Sequence, residues 1–131
     1  WQVRGMKKVL LVDDARSIRS VFSEVIRQAG FQAHTSSSAE EGFQFITENG
    51  VPDLIVTDIN LPGVSGIEFC RQVRKVAQYT PILVISALSD KDLVAEAKIV
   101  GVQGWMLKPV EPEYFLSKLK SILGKPHALS N

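Results

Sequence analysis

Cysteine is almost missing from this sequence: Cys70 stands alone among 131 residues. An internal disulfide is therefore impossible, which excludes a small secreted scaffold held by bridges and makes a reducing cytoplasm the expected compartment. A surplus of one charge is missing as well. Lys and Arg number 15 against 14 for Asp and Glu, a net charge of +1. Nothing electrostatic therefore recommends nucleic acid or an anionic membrane as the main partner. No apolar run nears the roughly 20 residues of a membrane-spanning helix, and no signal peptide is visible. Histidine is scarce. His34 and His127 lie too far apart in the pattern to suggest a metal pair or a phosphorelay histidine, and surface roles are expected of both. Repeats, low-complexity segments and internal linkers are lacking. What is left is an ordinary soluble composition, 45% hydrophobic and 22% charged, long enough for one domain with a real core and not for two.

The apolar residues alternate between two periods. Lys8-Val9-Leu10-Leu11-Val12 is a strand-like run ending at Asp13-Asp14. Ile18, Val21, Phe22, Val25, Ile26 and Ala29 then recur at three- and four-residue steps as one helical stripe, stopped by Gly30. Phe31 to His34 is a short, weak strand candidate. In the polar loop after it, Ser38 and Glu41 have capping-box spacing, and the next helix carries Ala39, Phe43 and Ile46 before Gly50. Leu54-Ile55-Val56-Thr57 is a short apolar run bounded by Pro and Gly, which suits a strand covered on both faces. A helix from about Gly66 to Ala77 places Ile67, Cys70, Val73 and Ala77 on one side.

Ile82 to Ile85 repeats the buried-strand pattern and ends at Ser86-Ala87. Ser89 is placed to cap a helix bearing Leu93, Val94, Ala97 and Val100, with Gly101 at its end. Gly104 to Leu107 is a last short strand before Lys108-Pro109. Pro112 suits the first turn of a final helix with Phe115, Leu119 and Ile122 inward. Strand then helix, five times, predicts an α/β fold of (βα)5 type, a parallel sheet with helices on both faces. Met6-Lys7-Lys8 reads as a natural start. Residues 1–6 are then an N-terminal extension, 7–124 the domain, and 125–131 a tail or linker.

Four strands end in polar residues: Asp13 with Asp14, then Asp58, Ser86 and Lys108. In a parallel sheet the carboxyl ends lie on one rim, so these residues can converge on one crevice. Three carboxylates at close range repel unless a cation sits among them, and oxygen-only ligands favour a hard ion such as Mg2+. Asp58, at the end of a buried strand and followed by the Leu61-Pro62-Gly63 turn, is the candidate nucleophile for a phosphoryl group. Each residue also has a plainer reading. Asp14 could cap the first helix, Asp58 could be a turn residue, Ser86 could merely end its strand, and Lys108 could be a solvated charge. Singly, the plain readings hold their own; four coincidences at strand ends weigh against them. The Phe31–His34 strand ends without such a residue and should lie at an edge.

With these marks in this order, the chain resembles the bacterial response-regulator receiver domain, the CheY-like family. The resemblance spans about Lys7 to Leu123 and rests on Asp13-Asp14, Asp58 to Gly66, Ser86-Ala87 and Lys108-Pro109. It implies a doubly wound, flavodoxin-like sheet of strand order 2-1-3-4-5. It implies that Asp58 is the phosphoacceptor, fed by a histidine kinase or histidine phosphotransferase. It further implies that Asp14, Asp58 and the Asn60 carbonyl hold Mg2+ directly and that Asp13 acts mostly through a metal-bound water. Ser86 becomes the hydroxyl that turns to the phosphoryl group, Lys108 its counter-charge, and the Lys108-Pro109 bond cis. Trp105, where the family carries a smaller aromatic, becomes the switch residue. The face of the fourth helix, fifth strand and fifth helix (α4-β5-α5) becomes the surface for a downstream effector or output domain. Leu88, apolar beside the path of an attacking water, predicts slow autodephosphorylation. Such a protein is a signalling switch and not an enzyme.

Two other classes compete. An aspartate-nucleophile phosphatase wants a second acid two residues past the nucleophile, where this chain has Asn60, and usually a larger cap. A flavodoxin-like cofactor binder wants a phosphate-cradling Gly-rich loop after the first strand, where Asp13-Asp14 would repel a phosphate.

Overall fold

The computed structural model describes residues 6–124; the expected extension up to residue 5, the tail from 125 and His127 lie outside them. The elements run β1 (Lys8–Val12), α1 (Arg16–Gln28), β2 (Gln32–Ser36), α2 (Ala39–Asn49), β3 (Leu54–Thr57), α3 (Gly66–Val76), β4 (Ile82–Ser86), α4 (Lys91–Val100), β5 (Gly104–Leu107) and α5 (Pro112–Leu123). One sheet holds all five strands in the order β2-β1-β3-β4-β5, every pair parallel. Both the (βα)5 class and the expected strand order are therefore observed.

Period-two alternation divides the strand side chains between two cores. Val9, Leu11, Leu54, Val56, Leu83 and Ile85 pack under α1 and α5 with Phe22, Ile26, Phe115 and Leu119. Leu10, Val12, Ile55 and Ile82 face the other way, under α2 and α3, with Phe69, Cys70 and Val73. Because both faces are covered, the central strands are apolar throughout rather than alternating with polar residues. The chain leaves β1 toward β2 on one side and returns past it to β3 on the other. The carboxyl ends of β1 and β3 therefore flank the crevice where such sheets bind ligands.

Several local expectations shift. β2 begins and ends later than Phe31–His34; Phe31 is buried ahead of the strand, and the run extends to Ser36. An edge strand is held from one side only, so its bounds follow pairing with β1 more than its own apolar content. Val21 is 48% exposed, outside the stripe that Phe22 and Ile26 bury. The cap of α4 is Asp90, whose carboxylate accepts from the Asp92 and Leu93 N–H groups, one residue past the expected Ser89. Ser38 accepts from the Glu41 N–H as expected, while the Glu41 carboxylate reaches back to Ser37. His34 is half-buried on β2 with its ring against Phe45, centroids 4.7 Å apart, rather than free on the surface. Among the described residues no helix is long and apolar enough to cross a membrane.

Cys70 lies fully buried on α3, and burial pushes its thiol up from an ordinary 9.0 to about 12. The thiolate is the reactive form, so iodoacetamide labels Cys70 in the folded protein only as fast as the domain opens, and promptly in denaturant. Because the folded value is the higher one, the associated stability is complete below about pH 9 and declines as pH rises toward 12. Labelling of the native protein at the unfolded rate, followed by mass spectrometry, would contradict this burial.

Candidate functional site

The sheet ladder itself sets the positions of the rim residues. Pairing continues one residue past β1, β3 and β5: Asp13 N–H donates to Ser36 O at 3.0 Å, Asp58 N–H to Val12 O at 2.9 Å, and Lys108 N–H to Ser86 O at 2.8 Å. Asp13, Asp58 and Lys108 thus each have their backbone anchored to the last residue of a neighbouring strand. A second device repeats at the ends of β1, β3 and β4. The side-chain oxygen accepts the N–H two residues on: Asp13 Oδ1 from Ala15 at 2.9 Å, Asp58 Oδ1 from Asn60 at 3.1 Å, Ser86 Oγ from Leu88 at 3.1 Å. These are side-chain-closed turns. For Asp58 the turn role and a chemical role therefore coexist, one oxygen for each.

The other oxygens meet Lys108. Its Nζ donates to Asp58 Oδ2 at 2.8 Å and stands 3.0 Å from Asp13 Oδ2. The second contact lacks hydrogen-bond alignment, and Asp13 Oδ2 has no other partner although it is buried. Asp13 and Asp58 are 0% and 5% exposed, whereas Asp14 is open to solvent. One oxygen from each of Asp13, Asp14 and Asp58 falls within 4.8 Å of the others. Burial raises the Asp13 carboxyl above its ordinary range, partly offset by the Ala15 N–H and by Lys108. Burial works against the Lys108 ammonium, but Asp58 and Asp13 outweigh it and hold its pKa up. The solvated-charge reading of Lys108 is thereby corrected; its side chain is 19% exposed.

One ammonium among three carboxylates leaves a charge deficit. The donors are all oxygen, and the buried Asp13 Oδ2 lacks a hydrogen-bond partner. That combination fits a hard divalent cation of the Mg2+ kind. Asp14 does not cap α1: the cap position is Ala15, with no side-chain bond, so Asp14 is free to face the cluster.

Ser86 is fully buried at the end of β4. Leu88, whose N–H it holds, in turn accepts Trp105 Nε1–H on its carbonyl at 2.9 Å. Trp105 sits half-buried on the edge strand β5 against the cluster of Ile59, Ile67, Val84 and Ala97. The Lys108-Pro109 peptide is cis. Two contributors carried no sequence signal: Thr57, whose hydroxyl donates to Asp58 O at 2.9 Å, and Arg19, whose Nη1 donates to Asp13 O at 2.8 Å. Both act on backbone carbonyls, which a side-chain pattern does not report. Among the described residues, surface grooves of roughly 420 to 490 Å³ lie along α3–α4, α1–α5, α5 alone and the opposite end of the sheet, away from Asp13, Asp58 and Lys108.

Residues 9–120 match the family described as the response regulator receiver domain. The chain belongs to this family. The receiver domain is similar to the chemotaxis protein CheY of Pseudomonas aeruginosa, 31% identical over 88% of this chain and 94% of that one. It is also similar to the transcriptional regulatory protein AfsQ1 of Streptomyces coelicolor, 31% identical over 90% of this chain but 52% of that one. The solved structure of Vibrio cholerae chemotaxis protein CheY4 superposes with a TM-score of 0.84 at 34% identity, covering 90% of this chain and 99% of that one. The receiver domain thus spans about half the length of the transcriptional regulators it matches and nearly all of the chemotaxis proteins.

Proposed function

We propose that this receiver domain takes a phosphoryl group onto Asp58 from a histidine kinase or histidine phosphotransferase, and that the change is read on the α4-β5-α5 face by a partner protein or output domain. The observation that carries the reading is the Asp58 carboxylate, nearly buried, with Lys108 on one oxygen and the Asn60 N–H on the other. The carboxylates of Asp13, Asp14 and Asp58, with the Asn60 carbonyl, would hold Mg2+. When bound, that ion supplies charge neutralisation for the acceptor and the incoming phosphate oxygens.

Phosphoryl transfer depends on positioning and charge more than on covalent help from the protein. A bond forms between an Asp58 oxygen and phosphorus as the phosphorus–nitrogen bond of the donor breaks, its electron pair returning to the imidazole. Lys108 pairs with Asp58 beforehand, at 2.8 Å, and with the phosphoryl group afterwards. The open rim suits delivery by a protein donor better than capture of a small substrate in a cavity.

The readout follows from bonds already present. The new group brings about −1.5 to −2 charges and strong acceptor oxygens. Ser86 turning its hydroxyl toward them releases the Leu88 N–H, and Leu88 is the residue whose carbonyl holds Trp105. Leu88, exposed and apolar, positions no water, so hydrolysis of the phosphorylated form is slow. The domain is then a cytoplasmic switch rather than an enzyme with turnover, binding neither nucleic acid nor membrane directly.

Incubation with acetyl phosphate and Mg2+ tests this, read by intact mass. One phosphoryl adduct is expected, and EDTA should prevent it. No adduct in the presence of Mg2+ would overturn the reading.

A further inference from the structure

The turn Asp13-Asp14-Ala15 has to present two carboxylates to one point beside Asp58. Its internal closure, Ala15 N–H to Asp13 Oδ1, uses one of those carboxylates. Nothing else caps α1, which has no side-chain cap and no acidic residue in its first turn. Arg19 supplies a tie that spares the carboxylates. From one turn into α1, its Nη1 donates to the Asp13 carbonyl at 2.8 Å. On the other side Asp13 N–H is bound to Ser36 O. The Ser37 N–H and hydroxyl hold the Glu41 carboxylate and lower its pKa, with a smaller contribution from the charge of Arg19.

We infer that Arg19 is a positioning residue for the divalent-cation site: through the Asp13 carbonyl it fixes the turn that presents Asp13 and Asp14. This rests on the Mg2+-dependent reading above. A charged donor on a part-buried carbonyl is among the stronger hydrogen bonds of a fold. Groups that orient metal ligands without touching the ion commonly matter to affinity. The charge of Arg19 alone predicts the reverse, because a cation beside the site repels Mg2+ and its loss would tighten binding.

That opposition of sign makes the test decisive. Mg2+ is titrated calorimetrically into the wild type, Arg19→Met, which keeps the apolar stem, and Arg19→Lys, with melting temperatures taken alongside. Arg19→Met should weaken Mg2+ binding about tenfold, and Arg19→Lys, which keeps the charge but not the planar fork, by less. Unchanged affinity with a lowered melting temperature would make Arg19 merely structural, and tighter binding would make it merely electrostatic; either overturns the inference. Should Arg19→Met not fold, the same outcomes are read from Arg19→Lys. A wild-type domain that binds no Mg2+ would sink the functional reading and this inference together, whereas an intact wild type with an unaffected variant sinks this one alone.

Discussion

Asp58→Asn should give a domain that folds as well as the wild type and accepts no phosphoryl group at all. The amide has the shape of the carboxylate and can still accept the Asn60 N–H that closes the turn. It lacks the anionic oxygen that attacks phosphorus, and it removes one of the three negative charges that converge within 4.8 Å. Lys108 is not stranded, because Asp13 Oδ2 remains 3.0 Å from its Nζ. Relief of repulsion from Asp13 and Asp14 offsets the lost pairing with Lys108, so the melting temperature should change little. Intact mass after acetyl phosphate and Mg2+ gives the first half, and a thermal melt gives the second. An adduct that survives in Asp58→Asn would move the acceptor to another residue. A collapsed melt would mean that the carboxylate is needed for folding, and the mass result would then say nothing about chemistry.

The rim was legible in the sequence because β-strand geometry does the convergence. Once the strand-helix alternation is recognised, Asp13, Asp58, Ser86 and Lys108 fall on one edge whatever the loops do. The family resemblance added the strand order and the cis Lys108-Pro109 bond, which no local pattern dictates. What stayed hidden was the backbone side of the site. Thr57 and Arg19 reach carbonyl oxygens whose directions depend on turn dihedrals, and the Ser86–Leu88–Trp105 connection runs through the Leu88 peptide rather than its side chain. The errors of detail have the same origin. Ser89 and Asp90 are both good caps, and only the turn after β4 decides between them. Val21 fits a helical step, yet the groove between β1 and α5 is filled without it by Phe22 and Phe115, which meet edge to face at 4.7 Å.

Gly66 shows how tightly that backbone frame is drawn, and Gly66→Ala should be among the most damaging single substitutions in the domain. α3 begins at Gly66, directly behind the acceptor: its N–H donates to Ile59 O at 2.9 Å. A Cβ built there would overlap the Asp58 carbonyl oxygen and lie 2.6 Å from Ile59 Cα. Both obstacles are main chain, so no rotamer change relieves them. Either α3 lifts from the sheet, loosening Ile67, Phe69 and Cys70, or the Asp58 peptide turns and breaks the Thr57 bond. Overpacking of a core usually costs about 1–3 kcal/mol, and this clash should lie at or above the upper end. Against a total stability of about 5–15 kcal/mol, that is a large share. Gly50→Ala is the sharp comparison. Gly50 has φ of +88° and ψ of 172°, a backbone conformation almost confined to glycine, but nothing within 4 Å of its added methyl, so it bears only the conformational strain of about 1–3 kcal/mol. Urea unfolding should therefore rank Gly66→Ala well below Gly50→Ala, although only the latter breaks a dihedral rule. The reverse order would show that α3 can give way at its first residue, and that the close seat of the helix on Asp58 is not what holds the acceptor in place.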